Sequence, residues 1–339
     1  MNSKRLAIVM LLVTIIVVLP TLGAYTSHAK DITWRAASRS VPSHPGAMAV
    51  EKFCKLVEER TDGALKIKFY PSEMLMPSRD QIAAVMRGTL EVANGSQSYD
   101  ATAVPTINLV NMPFVGLTLQ DWQPLMRPSG ELRMIMDQAY EDAGLKLLWM
   151  YPLGEQFVVT VDKPVLTVED FKGLKLRTTG KVKSNCFKLL GAEPSAMTGG
   201  EAAEAMRKGI INGSQTTGPA ILSRRYYEFA RYINRWEIGP VLESLYVNKK
   251  ILDALTSKTR NLVISTADEI EASMWKEAPS IREKELNILK DKGMSIISIP
   301  KKELVRSAEI TQEERNKWFD KAGALGQKVK EILDKAREK

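Results

Sequence analysis

PSEMLMPSRDQIAAVMRG at residues 71–88 and PSAMTGGEAAEAMRKG at residues 194–209 follow the same pattern. In both stretches Pro-Ser-x-Met leads into a short helical segment that ends at a glycine, Gly88 or Gly209. Glycine at this point is typical of a left-handed C-cap, and the β-prone stretches TLEVA and II come next. One unit of strand, loop, helix and strand therefore occurs twice, which predicts an α/β fold.

Each unit also carries a predicted capping box, in which a hydroxyl side chain bonds to the backbone three residues on and an acid or amide bonds back. Ser78 and Gln81 have this spacing in the first unit, and Thr198 and Glu201 have it in the second. The pattern predicts a capped helix at both places.

The tetrapeptide NGSQ follows both units, at residues 94–97 and 212–215. It begins six residues after Gly88 but three residues after Gly209, so the copies do not align and we interpret their identity as coincidence. Both are predicted to lie in loops that leave the carboxyl end of a parallel strand, where open α/β sheets bind their ligands.

Strands and helices alternate along the rest of the chain, which favours α/β lobes that share crossing segments. Further strands are predicted at DITWRAAS (31–38), ALKIKFY (64–70), LKLLWMY (145–151), QFVVTV (156–161), SLYVNKK (244–250) and MSIISI (294–299). Further helices are predicted at 43–63, 121–142, 181–191, 224–233 (RRYYEFARYI), 268–292 and the C-terminus.

The first 29 residues are expected to be a cleaved signal peptide, which would direct the protein to the periplasm. MNSKR supplies a basic start, an apolar run ends at Pro20, and Ser27-His28-Ala29 is a small-x-small cleavage site. A retained membrane anchor is the alternative, because the apolar run is almost long enough to span a bilayer. The proline and the polar residues after it favour cleavage.

Composition and charge exclude several classes of protein. Cleavage of 29 residues from 339 leaves 310, which with 44% apolar residues suffices for two domains of ordinary size. Loss of the two cations Lys4 and Arg5 lowers the net charge from +8 to +6, and the remaining basic residues are not clustered with aromatic ones, so no nucleic-acid partner is predicted. Cys54 and Cys186 lie in apolar helical patterns, which favours two separate buried thiols over a disulfide.

The reactive side chains argue against an enzyme, a metal site and a bound cofactor. His28 falls in the signal peptide, so His44 is the one remaining histidine, and no G-x-S-x-G elbow accompanies it. The same count excludes metal sites built on paired histidines or cysteines. GLKLRTTGK departs twice from the phosphate-loop pattern. An exported enzyme that uses carboxylates alone is the alternative, and it requires two acids that face each other in a cleft.

DFKGLKLRTTG at residues 170–180 contains the strongest candidate for a binding residue. Strand alternation puts Leu174 and Leu176 on one face and Lys175 and Arg177 on the other, so both cations are expected to face solvent. Arg177 differs from Lys175 because it stands at the end of the strand, where it would project into the rim of a cleft. A guanidinium in that position can bind a carboxylate through two parallel hydrogen bonds.

Several stretches occur in an order that resembles a known family. They are GALKIKFYPSEML, RGTLEVA, NMPFV, DFKGLKLR, GAEPSAM and MRKGIINGS, downstream of a signal peptide. This order is similar to that of the DctP-type substrate-binding proteins of tripartite ATP-independent periplasmic (TRAP) transporters. The resemblance spans nearly the whole mature chain and is most specific over residues 170–216.

The resemblance implies a two-lobed α/β periplasmic solute-binding protein fold with a long helix that crosses both lobes. Residues 30–154 plus 242–281 would form lobe I, and residues 155–241 plus 282–339 would form lobe II. Such a protein closes on an organic acid and delivers it to the small and large membrane subunits of its transporter. The binding protein of an ATP-driven importer is the alternative, which neighbouring genes for TRAP membrane subunits would exclude.

The resemblance also implies which residues bind the solute. The carboxylate-binding arginine of the family falls on Arg177. The family often has a second arginine upstream, where this chain has Glu155-Gln156-Phe157, and an asparagine where this chain has residues 212–216. These departures favour an acid with a less polar or aromatic body that contacts Phe157 and Trp236. The alternative is a core position for Phe157 and an interface packing role for Trp236. Further contacts are expected from Gln156, Ser96, Gln97, Gln215 and Thr216.

Overall fold

The computed structural model describes residues 32–338, which form a mixed α/β protein. The strands are β1 Ile32–Ser38, β2 Leu65–Tyr70, β3 Val92–Ser96, β4 Leu145–Thr160, β5 Lys175–Thr178, β6 Glu193–Ala196, β7 Gly213–Thr217, β8 Tyr232–Arg235, β9 Pro240–Asn248 and β10 Ser295–Ser298. The helices are α1 Pro45–Arg60, α2 Ser78–Met86, α3 Gln97–Asp100, α4 Leu119–Met126, α5 Glu131–Asp142, α6 Lys181–Leu189, α7 Gly199–Arg207, α8 Gly218–Ser223, α9 Lys249–Asp253, α10 Ser257–Asp291, α11 Lys301–Lys321 and α12 Gly323–Arg337. Short 3-10 turns span Pro105–Asn111, Val168–Phe171 and Tyr226–Glu228.

The strands join in one sheet, in the order β2-β1-β3-β9-β4-β7-β5-β6, and β8 pairs with both β4 and β10. β1 is parallel to β2 and β3, and β5 is parallel to β6 and β7, so each end of the sheet is a parallel α/β unit. The antiparallel strands β9 and β4 connect the two units. We call the unit around β1 lobe I and the unit around β5 lobe II.

Two long elements run through both lobes. β4 pairs with β9 along its first part and with β7 and β8 along its second part, and its register with β9 shifts between Pro152 and Gly154. On α10, Val263 and Ile270 pack in the core of lobe I, whereas Leu289 packs in the core of lobe II. The predicted lobe boundaries at 154/155 and 281/282 fall inside β4 and α10, and they stay predictions. The last helix, α12, packs mainly against α11 and also contacts α5 and the Pro105–Asn111 turn of lobe I.

The repeated unit is present in both lobes, with one difference at its helix start. Gly88 and Gly209 have φ values of 72° and 69°, so both left-handed helix ends are confirmed. The Thr198 capping box is confirmed, because its side chain accepts from the backbone of Glu201 and the Glu201 carboxylate accepts from the backbone of Thr198. The Ser78 box is wrong. α2 starts at Ser78 itself, whose N–H donates to Glu73 Oε1 at 2.8 Å.

The two NGSQ copies occupy different positions, as predicted, but they do not lie in loops. Asn94 to Ser96 belong to β3, and Gln97 is the first residue of α3. In the second copy, Gly213 begins β7 and the strand continues beyond Gln215 to Thr217. The carboxyl ends of β3 and β7 thus pass directly into helices, and the strands themselves carry the polar side chains.

Most of the other predicted strands are confirmed, with shifts of a few residues at their ends. The strands predicted at 145–151 and 156–161 are one strand, β4. The helix predicted at 121–142 is two helices, because the left-handed Ser129 (φ 68°) lies between α4 and α5. The helix predicted from Asp268 begins at Ser257, and the C-terminal helix is broken at Gly323 (φ 59°). RRYYEFARYI is not a helix. Arg225 is left-handed, and Tyr232 enters β8 and pairs with β4, so pairing in the sheet overrides the local helical pattern.

The two cysteines and His44 are buried inside the protein. Cys54 and Cys186 are free and buried, as predicted, and burial raises the pKa of each thiol to about 12. His44 precedes α1 and its Nδ1 accepts from the Gly46 N–H at 3.2 Å. Burial lowers the pKa of His44 to about 4, so the imidazole is neutral at pH 7. The predicted signal peptide, residues 1–29, lies outside the described residues, among which no helix has the length and apolarity of a membrane span.

Candidate functional site

A cavity lies between the lobes, where the carboxyl ends of β1, β3, β5 and β7 meet. Lobe I lines it with Arg39, Ser96, Ser98 and Tyr99, lobe II lines it with Arg177, Thr179, Gly199, Gln215, Thr216, Thr217, Ala220 and Arg224, and β9 contributes Val241. Its volume is about 40 Å³. Sites for small molecules typically measure roughly 300–1,000 Å³, so the lobes or the lining side chains must move apart to admit a solute.

Arg177 lies at the end of β5 and is held in place by three acceptors. Its Nε donates to Met197 O at 3.0 Å, and Nη1 donates to Gln215 O at 2.8 Å. Nη2 lies 3.4 Å from the hydroxyl of Tyr99, which belongs to lobe I. A guanidinium has five N–H donors, so one N–H remains on each Nη. The sequence predicted solvent exposure on alternation alone, and the side chain is instead 6% exposed at the interlobe wall.

Gln215 and Gln156 form a chain of amides behind Arg177. The Gln215 Oε1 accepts from the backbone N–H of Thr179 at 3.0 Å, and its Nε2 donates to Gln156 Oε1. Gln156 in turn donates to Pro240 O at 3.0 Å, and it does not line the cavity. These hydrogen bonds fix the orientation of the Gln215 side chain. The backbone carbonyl of the same residue accepts the hydrogen bond from Arg177.

Arg224 is a second guanidinium at the cavity, at the end of α8. Within the described part of the chain, its side chain has no hydrogen bond and no ion pair. Burial lowers its pKa, and the nearby charges of Arg39 and Arg177 lower it further. A Cβ on Gly199, the first residue of α7, would lie 2.7 Å from Arg224 Cζ, so glycine lets the guanidinium approach the helix N-terminus. The Arg224 guanidinium and the N-terminus of α7 therefore attract an anion to the same part of the cavity.

Arg39 differs from the other two arginines because it is already paired. It forms an ion pair with Glu243, whose side chain is 1% exposed. Asn94 Nδ2 donates to Glu243 Oε2 at 3.2 Å, and Ser40 Oγ lies 3.4 Å from Oε1. The Arg39 charge is therefore neutralised inside lobe I, whereas Arg177 and Arg224 of lobe II have no carboxylate partner among residues 32–338.

The cavity wall carries cations, neutral polar groups and the apolar residues Ala220 and Val241. Among the described residues, no aspartate or glutamate lines it. The exported-enzyme alternative requires two facing carboxylates, and the cavity does not supply them. An anion that enters between the lobes meets the uncompensated charges of two guanidinium groups. Holding both charges in a buried site without a counter-ion is energetically costly.

The structure brings together four of the eight residues proposed from the sequence. Arg177, Ser96, Gln215 and Thr216 line the cavity. Gln97 follows Ser96 but points into lobe I, where its Nε2 lies 3.4 Å from Met150 Sδ.

Phe157 and Trp236 do not reach this cavity. Phe157 is opposite Thr216 in the β4–β7 register, but its side chain is 2% exposed and packs in the core of lobe II. The Trp236 indole donates to Val165 O at 3.0 Å, and its ring lies 4.8 Å from that of Phe171. Neither of the two aromatic residues expected from the sequence lines this cavity, whose one aromatic lining residue among those described is Tyr99.

A separate cavity of about 330 Å³ lies beside Trp236. Phe114, Leu304 and Arg315 line it, together with the acids Glu237 and Glu309. The Arg315 guanidinium donates to Ala308 O at 2.8 Å within its own helix. This larger cavity mixes both signs of charge. The smaller interlobe cavity has cations without acids in its lining, so it is the better candidate for anion binding.

Sequence reasoning missed several lining residues. Arg39 follows β1 directly, so the criterion that singled out Arg177, a cation at the end of a strand, would also have found it. Arg224 and Tyr99 follow or belong to short helices, and nothing in their local sequence signals the cavity. They reach it only because α8 and α3 begin where β7 and β3 end.

Comparison with known proteins identifies the family. Residues 37–322 match the DctP family model, described as bacterial extracellular solute-binding protein, family 7. The chain belongs to this family. The predicted resemblance to DctP-type solute-binding proteins of TRAP transporters is confirmed, and so is the two-lobed α/β fold.

Curated relatives and solved structures of the family cover most of the chain. The ectoine-binding periplasmic protein TeaA of Halomonas elongata is 25% identical over 317 residues, which are 92% of this chain and 91% of TeaA. The 2,3-diketo-L-gulonate-binding periplasmic protein YiaO of Escherichia coli is 26% identical over 254 residues, or 74% and 76% of the two chains. A TRAP periplasmic solute-binding protein from Chromohalobacter salexigens with bound D-glucuronate is 25% identical with a TM-score of 0.82, covering 89% of this chain and 99% of that one. All three are named as binding proteins, which favours a binding protein over an enzyme.

Proposed function

We propose that this family member captures an organic acid between its lobes by binding the acid's carboxylate at Arg177. The two lobes close around the solute, and the loaded protein delivers it to the membrane subunits of a TRAP transporter. Membership of the family supports this function over the binding protein of an ATP-driven importer. A cleaved signal peptide at residues 1–29 would release the protein into the periplasm, which agrees with the family description.

One observation carries the proposal: a buried guanidinium with two free N–H groups faces a cavity that contains no acid from the described residues. A carboxylate accepts two parallel hydrogen bonds from such a group and neutralises its charge. Arg224, which has no partner in the described part of the chain, would bind a second carboxylate or a carbonyl oxygen of the same solute. Contacts from Tyr99 of lobe I and Arg177 of lobe II then couple binding to closure.

The lining supports a polar acid over an aromatic one. Five residues with hydroxyl groups line the cavity together with the arginines, namely Ser96, Ser98, Tyr99, Thr179 and Thr217. Hydroxyls bind the hydroxyl and carbonyl oxygens of a solute, and leaving them unpaired in a closed site is costly. Relatives are named for ectoine and for 2,3-diketo-L-gulonate, and one holds D-glucuronate. We therefore infer a compact hydroxy or keto acid in place of the apolar or aromatic acid expected from the sequence.

The proposal is tested by native mass spectrometry of the protein as purified, followed by calorimetry. We expect a small acid to co-purify, and we expect D-glucuronate or another member of a panel of hydroxy and keto acids to bind. The matched control is the neutral amide of the same acid, which retains the shape but lacks the charge. Binding of the amide as tightly as the acid would contradict the proposed role of the carboxylate.

A further inference from the structure

Lys183 of α6 is buried where lobe II meets lobe I. Its side chain is 2% exposed, and its Nζ donates to Asn111 Oδ1 at 2.9 Å. Nζ also lies 3.4 Å from Ser98 Oγ, which accepts from Asn111 Nδ2 at 3.2 Å. Ser98 and Asn111 belong to lobe I, and Ser98 also lines the interlobe cavity. The lysine thus bridges the lobes at the edge of the proposed binding site.

The charge of Lys183 is not compensated in this position. Across residues 32–338, no carboxylate lies within ion-pair distance of its Nζ, and both of its hydrogen-bond partners are neutral. Burial and, second, the neighbouring Arg177 guanidinium together lower its pKa to about 7, while the Cys186 thiol on the same helix acts in the opposite direction. An ammonium group buried with an amide and a hydroxyl as its only partners is disfavoured relative to one in water.

We propose that Lys183 makes closure of the lobes depend on a bound anion. The buried ammonium opposes closure of the lobes around a cavity without an anion, because closure removes it from water next to the Arg177 guanidinium. A carboxylate at Arg177 compensates this charge, so the lobes close when the solute enters. The inference rests on the proposed function only for the identity of the anion. The effect of Lys183 on closure of the ligand-free protein does not depend on which anion binds.

This role gives closure a defined pH dependence. The proposal places Lys183 in water in the open protein, where the pKa of lysine is about 10.4, whereas its pKa in the closed protein is about 7. The open form therefore binds more protons between these values. The ratio of closed to open ligand-free protein should be constant below pH 7 and should rise about tenfold per pH unit from there to about pH 10. Ser98 and Asn111, which contact Nζ, do not titrate in this range, and the pKa of the neighbouring Cys186 thiol, raised by burial to about 12, lies above it.

The test compares the ligand-free wild type with Lys183→Met, Lys183→Arg and the control Lys181→Met. Lys181 lies on the same helix and is exposed. Lobe separation is measured from pH 6.5 to 10 by small-angle X-ray scattering and by spin-label distances between Met48→Cys and Ile210→Cys, which are exposed positions in the two lobes. The two native cysteines are buried and would not compete for the label.

Three results are expected. The wild type and Lys181→Met close progressively as the pH rises. Lys183→Met is at least tenfold more closed at pH 7 and does not respond to pH, and Lys183→Arg stays open throughout. A Lys183→Met protein with the closed fraction and pH response of the wild type, or one more open than the wild type, would overturn the inference. Failure of organic acids to bind would leave these ligand-free results unchanged and would count against the proposed function alone.

Discussion

Lobe I and lobe II present the same strand-to-helix unit to the cavity, but the arginine at the strand end has an internal carboxylate partner in lobe I and none among the described residues in lobe II. At the end of β1, Arg39 is paired with Glu243, which also accepts a hydrogen bond from Asn94. At the end of β5, Arg177 donates to carbonyl oxygens and a hydroxyl, and among the described residues it has no carboxylate partner. One charge is satisfied by the protein, and the other is available to a solute.

This difference indicates that the paired charge of lobe I stabilises the fold, whereas the unpaired charge of lobe II binds the solute. A buried charge with an internal partner stabilises its own lobe and contributes little to an incoming ion. A buried charge without a partner lowers the stability of the ligand-free site and binds the missing ion strongly. Removal of a charge should therefore damage folding in lobe I and binding in lobe II, which the following substitutions test.

The largest effect is expected for Glu243→Gln in lobe I. Removal of one member of a buried ion pair leaves the other charge uncompensated, which costs about 3–5 kcal/mol. Urea unfolding should show this loss in the free energy of unfolding. The control is Glu51→Gln, because Glu51 is 48% exposed and its partner Lys55 is 68% exposed, so their ion pair contributes about 1 kcal/mol or less. Equal losses in the two variants would remove the distinction between Arg39 and a surface ion pair.

A smaller but more specific effect is expected for Arg177→Lys in lobe II. A lysine cannot supply the two parallel N–H groups, so affinity for the co-purified acid should fall about a hundredfold or more. Calorimetry measures the affinity, and urea unfolding of the same variant should show stability near that of the parent. Arg207→Lys is the matched control, because Arg207 is 47% exposed and pairs with Glu204. Unchanged affinity in Arg177→Lys would show that the solute carboxylate binds elsewhere.

The smallest effect is a pH dependence in lobe I. Asp100 is buried, and burial raises its pKa to about 7, although hydrogen bonds from Tyr246 and Tyr140 act in the opposite direction. In the unfolded chain its pKa is about 3.9. Between these values the folded protein holds a proton that the unfolded chain has lost, so this contribution to stability falls as the pH rises and is constant above pH 7.

Asp100→Asn should abolish that contribution. Relative to the wild type, the variant should gain about 1 kcal/mol of stability between pH 6 and pH 7, as measured by urea unfolding at a series of pH values. Contributions from His44, with its pKa lowered to about 4, and from Glu285, with its pKa raised to about 7, are common to both proteins and cancel in the difference. Parallel stability curves would mean that Asp100 is ionised in the folded protein throughout this range.

Much of the fold could be predicted because local patterns and tertiary structure agree. The units at 71–88 and 194–209 combine glycine helix ends with alternating strands, and both appear where expected. The segment RRYYEFARYI was misjudged because β8 is held by its neighbours β4 and β10, a constraint that local periodicity does not contain.

The site was only partly predictable for a related reason. Arg177 could be found because it is a cation at the end of a strand with alternating residues. Phe157 lies on β4, which is covered on both faces, so alternation could not distinguish the core from the cavity. Arg224 approaches Arg177 only through the packing of α8. Lys183 lies six residues after Arg177, but its burial depends on its contact with Asn111 of lobe I. Tertiary proximity of this kind leaves no mark on a single sequence.

The most direct test of the central claim is a crystal structure of the protein with its co-purified acid. The account predicts that both carboxylate oxygens lie about 3 Å from the two Nη atoms of Arg177, between the lobes. An acid bound instead in the cavity beside Trp236 and Arg315, or bound between the lobes with its carboxylate turned away from Arg177, would contradict it.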